Sequence, residues 1–298
     1  ESTTYPGTTR ELVKPMLEQG GLAAGRDFYL AFSPERVDPG NKKYGVKNTP
    51  KVVGGITPAC TELSGMLYRA VIDQVLEVSS AEAAELVKLL ENTFRAVNIA
   101  MINEMALMCD KLGLNVWEVI NAAASKPFGF MPFYPGPGIG GHCIPLDPHY
   151  LGWKMKTLNF EPRFIELAGA INSAMPDHVV TRLGRILNTR GRALSRSRIL
   201  MIGMAYKPDI SDSRESPARD VLTLLEKTGA KADYYDPYVA EPDLEGGVRR
   251  SKKDALKKLG SYDCVMIVTP HSCIDYAEIV KKARLVFDTR NDTRGLKG

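Results

Sequence analysis

The chain has 298 residues, of which 44% are hydrophobic and 25% are charged, and its formal net charge is +4. This is the composition of an ordinary globular protein, and at roughly 150 residues per domain the length predicts two domains. The charge is too small to indicate nucleic-acid binding, although it would not repel an anionic ligand. No apolar run reaches the about 20 residues that a membrane helix needs, and no signal peptide is evident.

Five cysteines are present without a CxxC pair, which predicts reduced thiols and a cytoplasmic protein. They are Cys60, Cys109, Cys143, Cys264 and Cys273. The sequence opens Glu1-Ser-Thr-Thr-Tyr-Pro-Gly7 without a methionine, in the manner of a strand that runs into a loop. We therefore expect it to be a fragment.

Short strands and turns precede a long helix. Residues 27–32 and 51–55 are apolar and predict strands, and the first of them is followed by a loop at 33–36 that Pro39-Gly40 extends. Thr57-Pro58 predicts the start of a helix. Residues 79–113 lack Pro and Gly before Gly113 and predict a helix of roughly 50 Å, at 1.5 Å per residue. A helix of that length crosses between domains or packs against a copy of itself.

Residues 126–141 are rich in Gly, Pro and aromatic residues, which predicts a loop, because Pro excludes helix and central strand. Long loops in compact domains are often functional. Residues 161–190 are typical of a helix. Six arginines and no acid lie in 181–198, which indicates a solvated helix end and linker, with anion binding as the alternative.

Strands and helices alternate in the last hundred residues, which predicts a parallel sheet. The predicted strands are 198–203, 231–235, 263–268 and 284–288, and a helix is predicted at 215–228. Ligands of such sheets bind beyond the carboxyl ends of the strands. Those ends carry residues 203–207, Asp236, residues 269–271 and residues 288–290.

Cys143 follows a glycine-rich stretch in Gly138-Ile-Gly-Gly-His-Cys-Ile-Pro-Leu-Asp147. A thiol on such a loop can be exposed and activated, so Cys143 is a candidate nucleophile and Asp147 a candidate for orienting water or a base. The alternatives are a buried cysteine in a turn-rich loop and a zinc site with His142 and His149. That spacing fits no common zinc site, so no metal is predicted. The other four cysteines lie in apolar contexts typical of core packing.

Two further groups of residues suggest chemistry. Lys88 and Asn92 lie four residues apart, on one face of the long helix, where partial burial would tune the charge of the lysine. The alternative is a solvated lysine. Residues 203–217 join the first strand of the last domain to its helix, and Lys207 and Arg214 could face a phosphate at the helix N-terminus. This loop lacks the GxGxxG pattern of dinucleotide sites.

Together these segments resemble the UDP-glucose/GDP-mannose dehydrogenase family, the nucleotide-sugar 6-dehydrogenases. The motifs that carry the resemblance occur in the order of the family and extend over nearly the whole chain. They are Glu1-Ser-Thr-Thr-Tyr-Pro-Gly-Thr-Thr9, Ser33-Pro-Glu-Arg-Val-Asp-Pro-Gly40, Lys88-Leu-Leu-Glu-Asn-Thr-Phe-Arg95, Gly138-Ile-Gly-Gly-His-Cys143, and Ala205-Tyr-Lys-Pro-Asp209 with Asp212-Ser-Arg-Glu-Ser216.

The resemblance implies an α/β protein in three parts. Residues 1–78 would be the last part of an N-terminal Rossmann domain that binds NAD. Residues 79–190 would be a central helical dimerisation region, and residues 191–298 a C-terminal Rossmann-like domain with a parallel sheet that binds the UDP-sugar. The family's first segment, with its GxGxxG loop, is expected to be missing, so this chain alone should bind NAD poorly. A homodimer is expected.

The resemblance also implies a reaction, the NAD-dependent four-electron oxidation of the C6 alcohol of a UDP-sugar to a carboxylate. Cys143 would be the nucleophile that forms a thiohemiacetal and then a thioester. Lys88 would stabilise oxyanions and Asp147 would orient water and assist proton transfer, while Glu35 would activate water for hydrolysis. The remaining roles are polar contacts near C6 for Thr3 and Asn92, cofactor contacts for Arg214 and Thr3, and substrate contacts for Tyr206, Lys207, Arg290, Phe133, Tyr134 and Gly140.

Departures from the family pattern bear on the substrate. UDP-glucose enzymes often carry Lys where this chain has Leu146, and an arginine in the region that here reads Ser125-Lys-Pro-Phe128. His142 and residues 33–40 resemble the branch that acts on UDP-N-acetylhexosamines. UDP-N-acetylglucosamine or UDP-N-acetylmannosamine is therefore expected, with UDP-glucose as the alternative. Two other functions stay open: a two-electron 3-hydroxyacid-type dehydrogenase that needs no cysteine, and a truncated UDP-binding dimerisation module without activity.

Overall fold

The computed structural model describes residues 1–38, 41, 43–242, 247 and 249–297. Pro39 and Gly40, which end the predicted loop and the second motif, lie outside the described residues. The chain forms two compact units. The first comprises Glu1–Arg95 and Leu146–Ile165, and the second comprises Ala96–Pro145 and Glu166–Gly298.

The first unit is built on a three-stranded sheet, β1 (Ala31–Phe32), β2 (Lys51–Gly55) and β3 (Val75–Glu77), in the order β1-β2-β3. The central strand β2 is buried along its whole length and pairs antiparallel with β1 and parallel with β3. Helix α2 (Pro58–Arg69) packs beside it. Its predicted start is confirmed, because the Thr57 side chain accepts a hydrogen bond from the Cys60 amide.

Strand β1 is shorter than predicted and begins at Ala31 instead of residue 27. The preceding residues form a turn in which the Gly25 amide donates to the Phe28 carbonyl at 2.7 Å. The Asp27 carboxylate accepts from the Ala23 amide in the same turn, at 2.8 Å. Local hydrogen bonding of this kind competes with a sheet ladder for the same backbone groups. Upstream of this turn lie a π-helical turn (Thr8–Val13) and α1 (Lys14–Glu18).

The long helix is confirmed as α3 (Ala81–Leu112), whose 32 residues contribute to both units. The Ser80 hydroxyl accepts the Ala83 amide at 3.1 Å, which satisfies one of the donors that a helix N-terminus leaves open. Gly113, with φ at +69°, follows the last helical residue.

The second unit contains a four-stranded sheet in which every pair of neighbours is parallel, in the order β5-β4-β6-β7. The strands are β4 (Arg198–Ile202), β5 (Lys231–Tyr235), β6 (Cys264–Ile267) and β7 (Val286–Asp288). The predicted parallel sheet and the α/β class are thus confirmed. The chain passes from β4 to β5 on one side and then to β6 on the other side of β4, so the strand order reverses between β4 and β6.

Alternating residues of β4 divide the core of the second unit into two layers. Ile199 and Met201 pack against α6 (Arg163–Thr189) and α7 (Pro217–Lys227). Leu200 and Ile202 point to the opposite layer, with the 3-10 helix Ala255–Ser261 and α8 (Tyr276–Lys282). This is the period-two pattern of a strand buried on both faces.

Helices α4 (Val116–Ala123) and α5 (Cys143–Thr157) were not predicted. The proline content explains the omission of α5, which contains Pro145 and Pro148. Pro145 stands in the first turn, where an amide has no intrahelical partner, so only Pro148 costs the helix a hydrogen bond. Within the described residues, no helix combines the length and the apolar character that crossing a membrane requires.

Candidate active site

A pocket of about 570 Å³ opens at the carboxyl ends of β4, β6 and β7, beside the point where the strand order reverses. All of its lining residues belong to the second unit. They are Trp117, Asn121, Tyr134, Pro135, Tyr206, Lys207, Pro208, Thr269, Pro270, Arg290, Asn291, Asp292 and Arg294. Four of the residues predicted to hold the substrate are therefore brought together here: Tyr134, Tyr206, Lys207 and Arg290.

The pocket lining carries three cations, Lys207, Arg290 and Arg294, and one carboxylate, Asp292. Arg290 is fixed in place, since its Nε donates to the Val268 carbonyl at 3.0 Å. Burial lowers the pKa of Arg290, although the nearby carboxylates of Asp292 and Asp288 oppose the shift. A half-buried arginine held in this way can form charge-assisted hydrogen bonds with an anionic partner such as a diphosphate.

The lining also carries aromatic rings. The ring of Trp117, on α4, stacks on Tyr134 with 5.6 Å between centroids and 16° between planes. The Tyr134 hydroxyl donates to the side-chain oxygen of Asn121 at 3.4 Å. Asn121 lies on α4, one helical turn after Trp117. The pocket thus offers cations, flat aromatic faces and an amide, which are groups that can recognise a nucleotide.

The backbone of the glycine-rich loop lies so close to pocket residues that a side chain at Gly136 or Gly140 would clash with them. A Cβ on Gly136 would lie 2.4 Å from Nη1 of Arg290, and one on Gly140 would lie 2.7 Å from Cβ of Tyr206. The Gly136 amide is held by the buried Asn103 side chain at 3.0 Å. Gly140 therefore lies against Tyr206. Neither Gly140 nor Phe133 is among the residues that line the pocket.

A second cluster of predicted residues lies in the first unit, around the buried carboxylate of Asp147. Asn92, with no exposed surface, donates its amide to Asp147, and Arg95 donates to the Asn92 oxygen. Burial raises the pKa of Asp147, while the Asn92 hydrogen bond and the charges of Lys88 and Arg95 lower it. The face of α3 that carries Lys88 and Asn92 is therefore directed at the Asp147 carboxylate. Lys88 itself is half-buried.

The first two motifs meet in the same unit, since residues Ser2 and Pro34 form an isolated parallel bridge. This places half-buried Thr3 on the segment next to the loop of Glu35. The exposed Glu35 carboxylate accepts the Val37 amide at 2.6 Å and lies 3.7 Å from Nζ of the buried Lys51.

Cys143 is exposed and begins α5, and Asp147 follows four residues later in that helix. The expectation that Cys143 lies on a loop is corrected, because it is the first residue of α5. Cys60, Cys109 and Cys264 are buried as expected, but Cys273 is exposed, because it lies in a turn beyond β6. Among the described residues, no three acidic, histidine or cysteine side chains are grouped as a metal site requires.

Comparison with known families matches three domains of one family along the chain. The UDP-glucose/GDP-mannose dehydrogenase family NAD binding domain matches residues 1–72, the central domain residues 82–174, and the UDP binding domain residues 200–294. The chain belongs to the UDP-glucose/GDP-mannose dehydrogenase family. The expectation of a missing NAD-binding segment is corrected accordingly, because residues 1–72 match that domain.

Similar proteins in this family include a UDP-N-acetyl-D-glucosamine 6-dehydrogenase from Pseudomonas aeruginosa, 36% identical over 91% of this chain and 64% of its own length. A UDP-N-acetyl-D-mannosamine dehydrogenase from Pyrococcus horikoshii is 34% identical over 98% of this chain and 68% of its own length. A structure of the Pyrococcus horikoshii UDP-D-ManNAc dehydrogenase superposes with a TM-score of 0.86, 34% identity and the same two coverages. The chain thus spans about two thirds of the length of these relatives.

In this dehydrogenase family member, Arg214 and Thr3 are the residues predicted to contact NAD. Arg214 is exposed, and its guanidinium forms two hydrogen bonds with Asp212, at 3.0 and 2.8 Å. This hydrogen bonding, with the charge of Arg214, outweighs burial and holds the pKa of Asp212 at about 2. An oriented, exposed guanidinium and a hydroxyl are donors that fit the phosphates and polar groups of a dinucleotide.

Several residues of the pocket were not predicted, among them Trp117, Asn121, Asn291, Asp292 and Arg294. Trp117 and Asn121 were missed with α4 itself, although their spacing of four residues is that of one helical face. The other three follow β7 directly, at a strand end that was expected to carry ligand contacts. The signal was therefore present for residues 291–294, and the predicted segment ended four residues too early, at residue 290.

Proposed function

We propose that this protein is an NAD-dependent dehydrogenase that oxidises the C6 alcohol of a UDP-sugar to the carboxylate. The observation that carries the proposal is the pocket, because it joins Lys207, Arg290 and Arg294 of the matched UDP binding domain to the Trp117–Tyr134 stack of the matched central domain. The cations can form hydrogen bonds with the oxygens of a diphosphate, and the aromatic rings can stack on a nucleoside base. NAD, when bound, supplies the acceptor for the hydrides that the substrate loses.

The protein's own residues would then carry out the addition, proton transfer and hydrolysis at the substrate carbonyl. Cys143 adds to the aldehyde carbon and holds it first as a thiohemiacetal and then as a thioester, until water releases the carboxylate and restores the thiol. Lys88 stabilises the oxyanions of these species. Asp147, with its raised pKa, exchanges protons with water or substrate, and Asn92 and Thr3 supply hydrogen bonds. Glu35 activates water for hydrolysis of the thioester.

The substrate we propose is UDP-N-acetylglucosamine or UDP-N-acetylmannosamine. Relatives with these two names are 36% and 34% identical to the chain. A UDP-glucose dehydrogenase from Pyrobaculum islandicum is 27% identical, with a TM-score of 0.80, so UDP-glucose remains the alternative. Five free cysteines suit a reducing compartment, and we place the protein in the cytoplasm.

We further propose a homodimer that is formed through α3. Large apolar side chains are exposed along this helix at spacings of three, four and seven residues, which places them on one stripe. They are Leu86, Leu90, Phe94, Met101, Met105, Met108 and Leu112, between 37% and 69% exposed. Solvent-exposed stripes of this size are typical of interaction surfaces. Sedimentation of the protein and of a Leu90→Lys, Met101→Lys variant tests this proposal, with a monomeric variant expected.

The experiment that tests the function is the yield of NADH per UDP-sugar, with the protein as encoded by its gene. Two NADH per molecule of a UDP-N-acetylhexosamine are expected. Cys143→Ser should abolish the second oxidation, whereas Cys273→Ser, the matched exposed cysteine, should behave as the wild type. One NADH per sugar, unchanged by Cys143→Ser, would contradict the thioester mechanism and indicate a two-electron dehydrogenase.

A further inference from the structure

Two titratable residues at the carboxyl ends of the strands, Asp236 after β5 and His271 after β6, take no part in the chemistry above. The sequence placed both at the ligand-binding edge of the sheet. The structure instead buries them, at 3% and 1% exposure, and neither lines the pocket. Nε2 of His271 lies 3.0 Å from Oδ2 of Asp236. A buried ionisable pair of this kind calls for a physical explanation.

Asp236 collects amide donors from two segments. Its Oδ2 accepts the Met204 and Ala205 amides at 2.6 and 2.9 Å, and its Oδ1 accepts the Tyr238 and Val239 amides at 2.8 and 2.9 Å. Burial raises the pKa of Asp236, but hydrogen bonds from His271 and from these amides outweigh burial and hold the pKa at about 2. The carboxylate is therefore charged at neutral pH.

His271 uses both of its ring nitrogens. Because Asp236 is ionised, Nε2 carries the proton and donates to it. Nδ1 accepts the backbone amide of Asp209 at 3.1 Å. The neutral Nε2–H tautomer is thus the form that satisfies both partners. Asp209 itself stands at φ +62°, a conformation that is uncommon for a residue with a side chain and needs support from its surroundings.

These bonds hold the two ends of one short loop, residues 204–209. Asp236 fixes its first amides, and His271 fixes its last. Between these anchors, the Thr269 hydroxyl donates to the Ala205 carbonyl at 2.7 Å. The residues carried by the loop are Tyr206, Lys207 and Pro208, and all three line the pocket.

We propose that Asp236 and His271 are positioning residues, a buried clamp that holds Tyr206 and Lys207 in place for the diphosphate of the nucleotide. The assignment rests on the proposed UDP-sugar function of the pocket. The clamp acts on binding of the nucleotide, since its anchored loop presents an aromatic ring and a cation and contains none of the residues proposed to touch the reacting carbon.

The test compares UDP binding, measured by isothermal titration calorimetry, across three variants. His271→Phe removes both ring nitrogens, and His271→Asn retains an oxygen that can accept the Asp209 amide. Tyr262→Phe is the control, because it removes a part-buried hydrogen bond, 3.0 Å from the Tyr262 hydroxyl to Asp233 on β5, that does not involve residues 204–209. Losing buried hydrogen bonds from a binding loop should weaken UDP binding about 10-fold in His271→Phe and about 3-fold or less in His271→Asn.

A clamp also predicts a separation of kinetic effects. In His271→Phe the KM for the UDP-sugar should rise with the Kd for UDP, while the KM for NAD and the kcat at saturation stay within about 2-fold of the wild type. Equal UDP affinity in wild type and His271→Phe would overturn the clamp and leave the proposed function intact. Equal losses of UDP affinity in His271→Phe and Tyr262→Phe would also overturn the clamp, because general destabilisation of the domain would then explain both losses. Failure of the wild type itself to bind UDP would overturn both proposals.

Discussion

The side-chain amide of Asn92 donates a hydrogen bond to the carboxylate of Asp147, and neither side chain is more than 3% exposed. Arg95 donates a hydrogen bond to the side-chain oxygen of Asn92, which fixes the orientation of the Asn92 amide. Burial is the largest influence on Asp147 and raises its pKa, despite the opposing effects of Asn92, Lys88 and Arg95. A carboxyl group in this balance can take up and release protons closer to neutral pH than an exposed aspartate.

Asp147→Asn should stabilise the protein at neutral pH. The raised pKa means that Asp147 stabilises the fold below its unfolded pKa of about 3.9 and loses that contribution as pH rises through the folded value. Removing the charge should therefore raise the free energy of unfolding by on the order of 1 kcal/mol at pH 8. Thermal melts from pH 4 to 8 should show the advantage of the variant shrinking towards pH 4. An advantage that grows in acid would contradict the shift.

Asn92→Leu should raise the pKa of Asp147 further, because it removes the amide that stabilises the ionised form. The acidic limb of the kcat profile should move to higher pH, and activity at pH 7 should fall about 10-fold or more, as for loss of a hydrogen bond to a charged group. Asn103→Leu serves as the comparison for the position of the acidic limb alone, since Asn103 is equally buried on α3 but bonds to Asn172 and to the Gly136 amide. An unmoved acidic limb in Asn92→Leu would separate Asn92 from the titration of Asp147.

Glu85→Gln should destabilise the fold more than Glu82→Gln. The Glu85 carboxylate is fully buried and accepts the Gly7 amide, the Thr9 amide and the Thr9 hydroxyl at 2.6 to 2.8 Å. The side-chain NH2 of a glutamine would face one of these N–H or O–H groups, which would lose its acceptor. The free energy of unfolding should therefore fall by about 1–3 kcal/mol. Glu82 pairs with Arg10 at the surface, where a salt bridge contributes about 0–1 kcal/mol. Urea unfolding of both variants measures the difference, and equal losses would sink the prediction.

Gly136→Ala should weaken UDP binding, because the new Cβ would lie 2.4 Å from Nη1 of Arg290. Arg290 has little freedom to move, since its Nε is bonded to the Val268 carbonyl. We expect a loss of about 10-fold in UDP affinity, comparable to losing one hydrogen bond to a charged group. Gly184→Ala, on α6, is the control, because its Cβ would meet only ordinary contacts at 3.6 Å. It should be neutral or stabilise α6 by about 0.5–1 kcal/mol.

Arg214→Gln should raise the KM for NAD about 10-fold and leave the Kd for UDP unchanged, if its oriented guanidinium meets a cofactor phosphate. Arg26→Gln is the matched control, since Arg26 is an exposed arginine held by a neighbouring aspartate in the same manner, at 2.7 Å from Asp27. Steady-state kinetics with NAD varied, together with UDP calorimetry, separates the two ligands. Equal KM values in the two variants would remove Arg214 from the cofactor site.

The sequence predicted the elements whose signals are local. The apolar run of β4, the start of α2 at Thr57-Pro58 and the uninterrupted apolar pattern of α3 each depend on neighbouring residues, and all three were found close to the expected bounds. Helix α5 was missed for a local reason as well, because its two prolines concealed a helix that needs to sacrifice only one hydrogen bond.

The motifs also contained Tyr206 and Lys207, and Arg290 was named with them; the structure brings all three into one pocket, since they follow strand ends that a parallel sheet brings to one edge. What the sequence could not separate was residues that line this edge from residues buried beneath it. Asp236 and His271 occupy equivalent strand ends, yet they face inward and hold the loop of Tyr206 and Lys207. Which way a side chain points at a strand end depends on the neighbouring loops that supply its hydrogen-bond partners, and those contacts, between residues up to 62 positions apart, exist only in the folded chain.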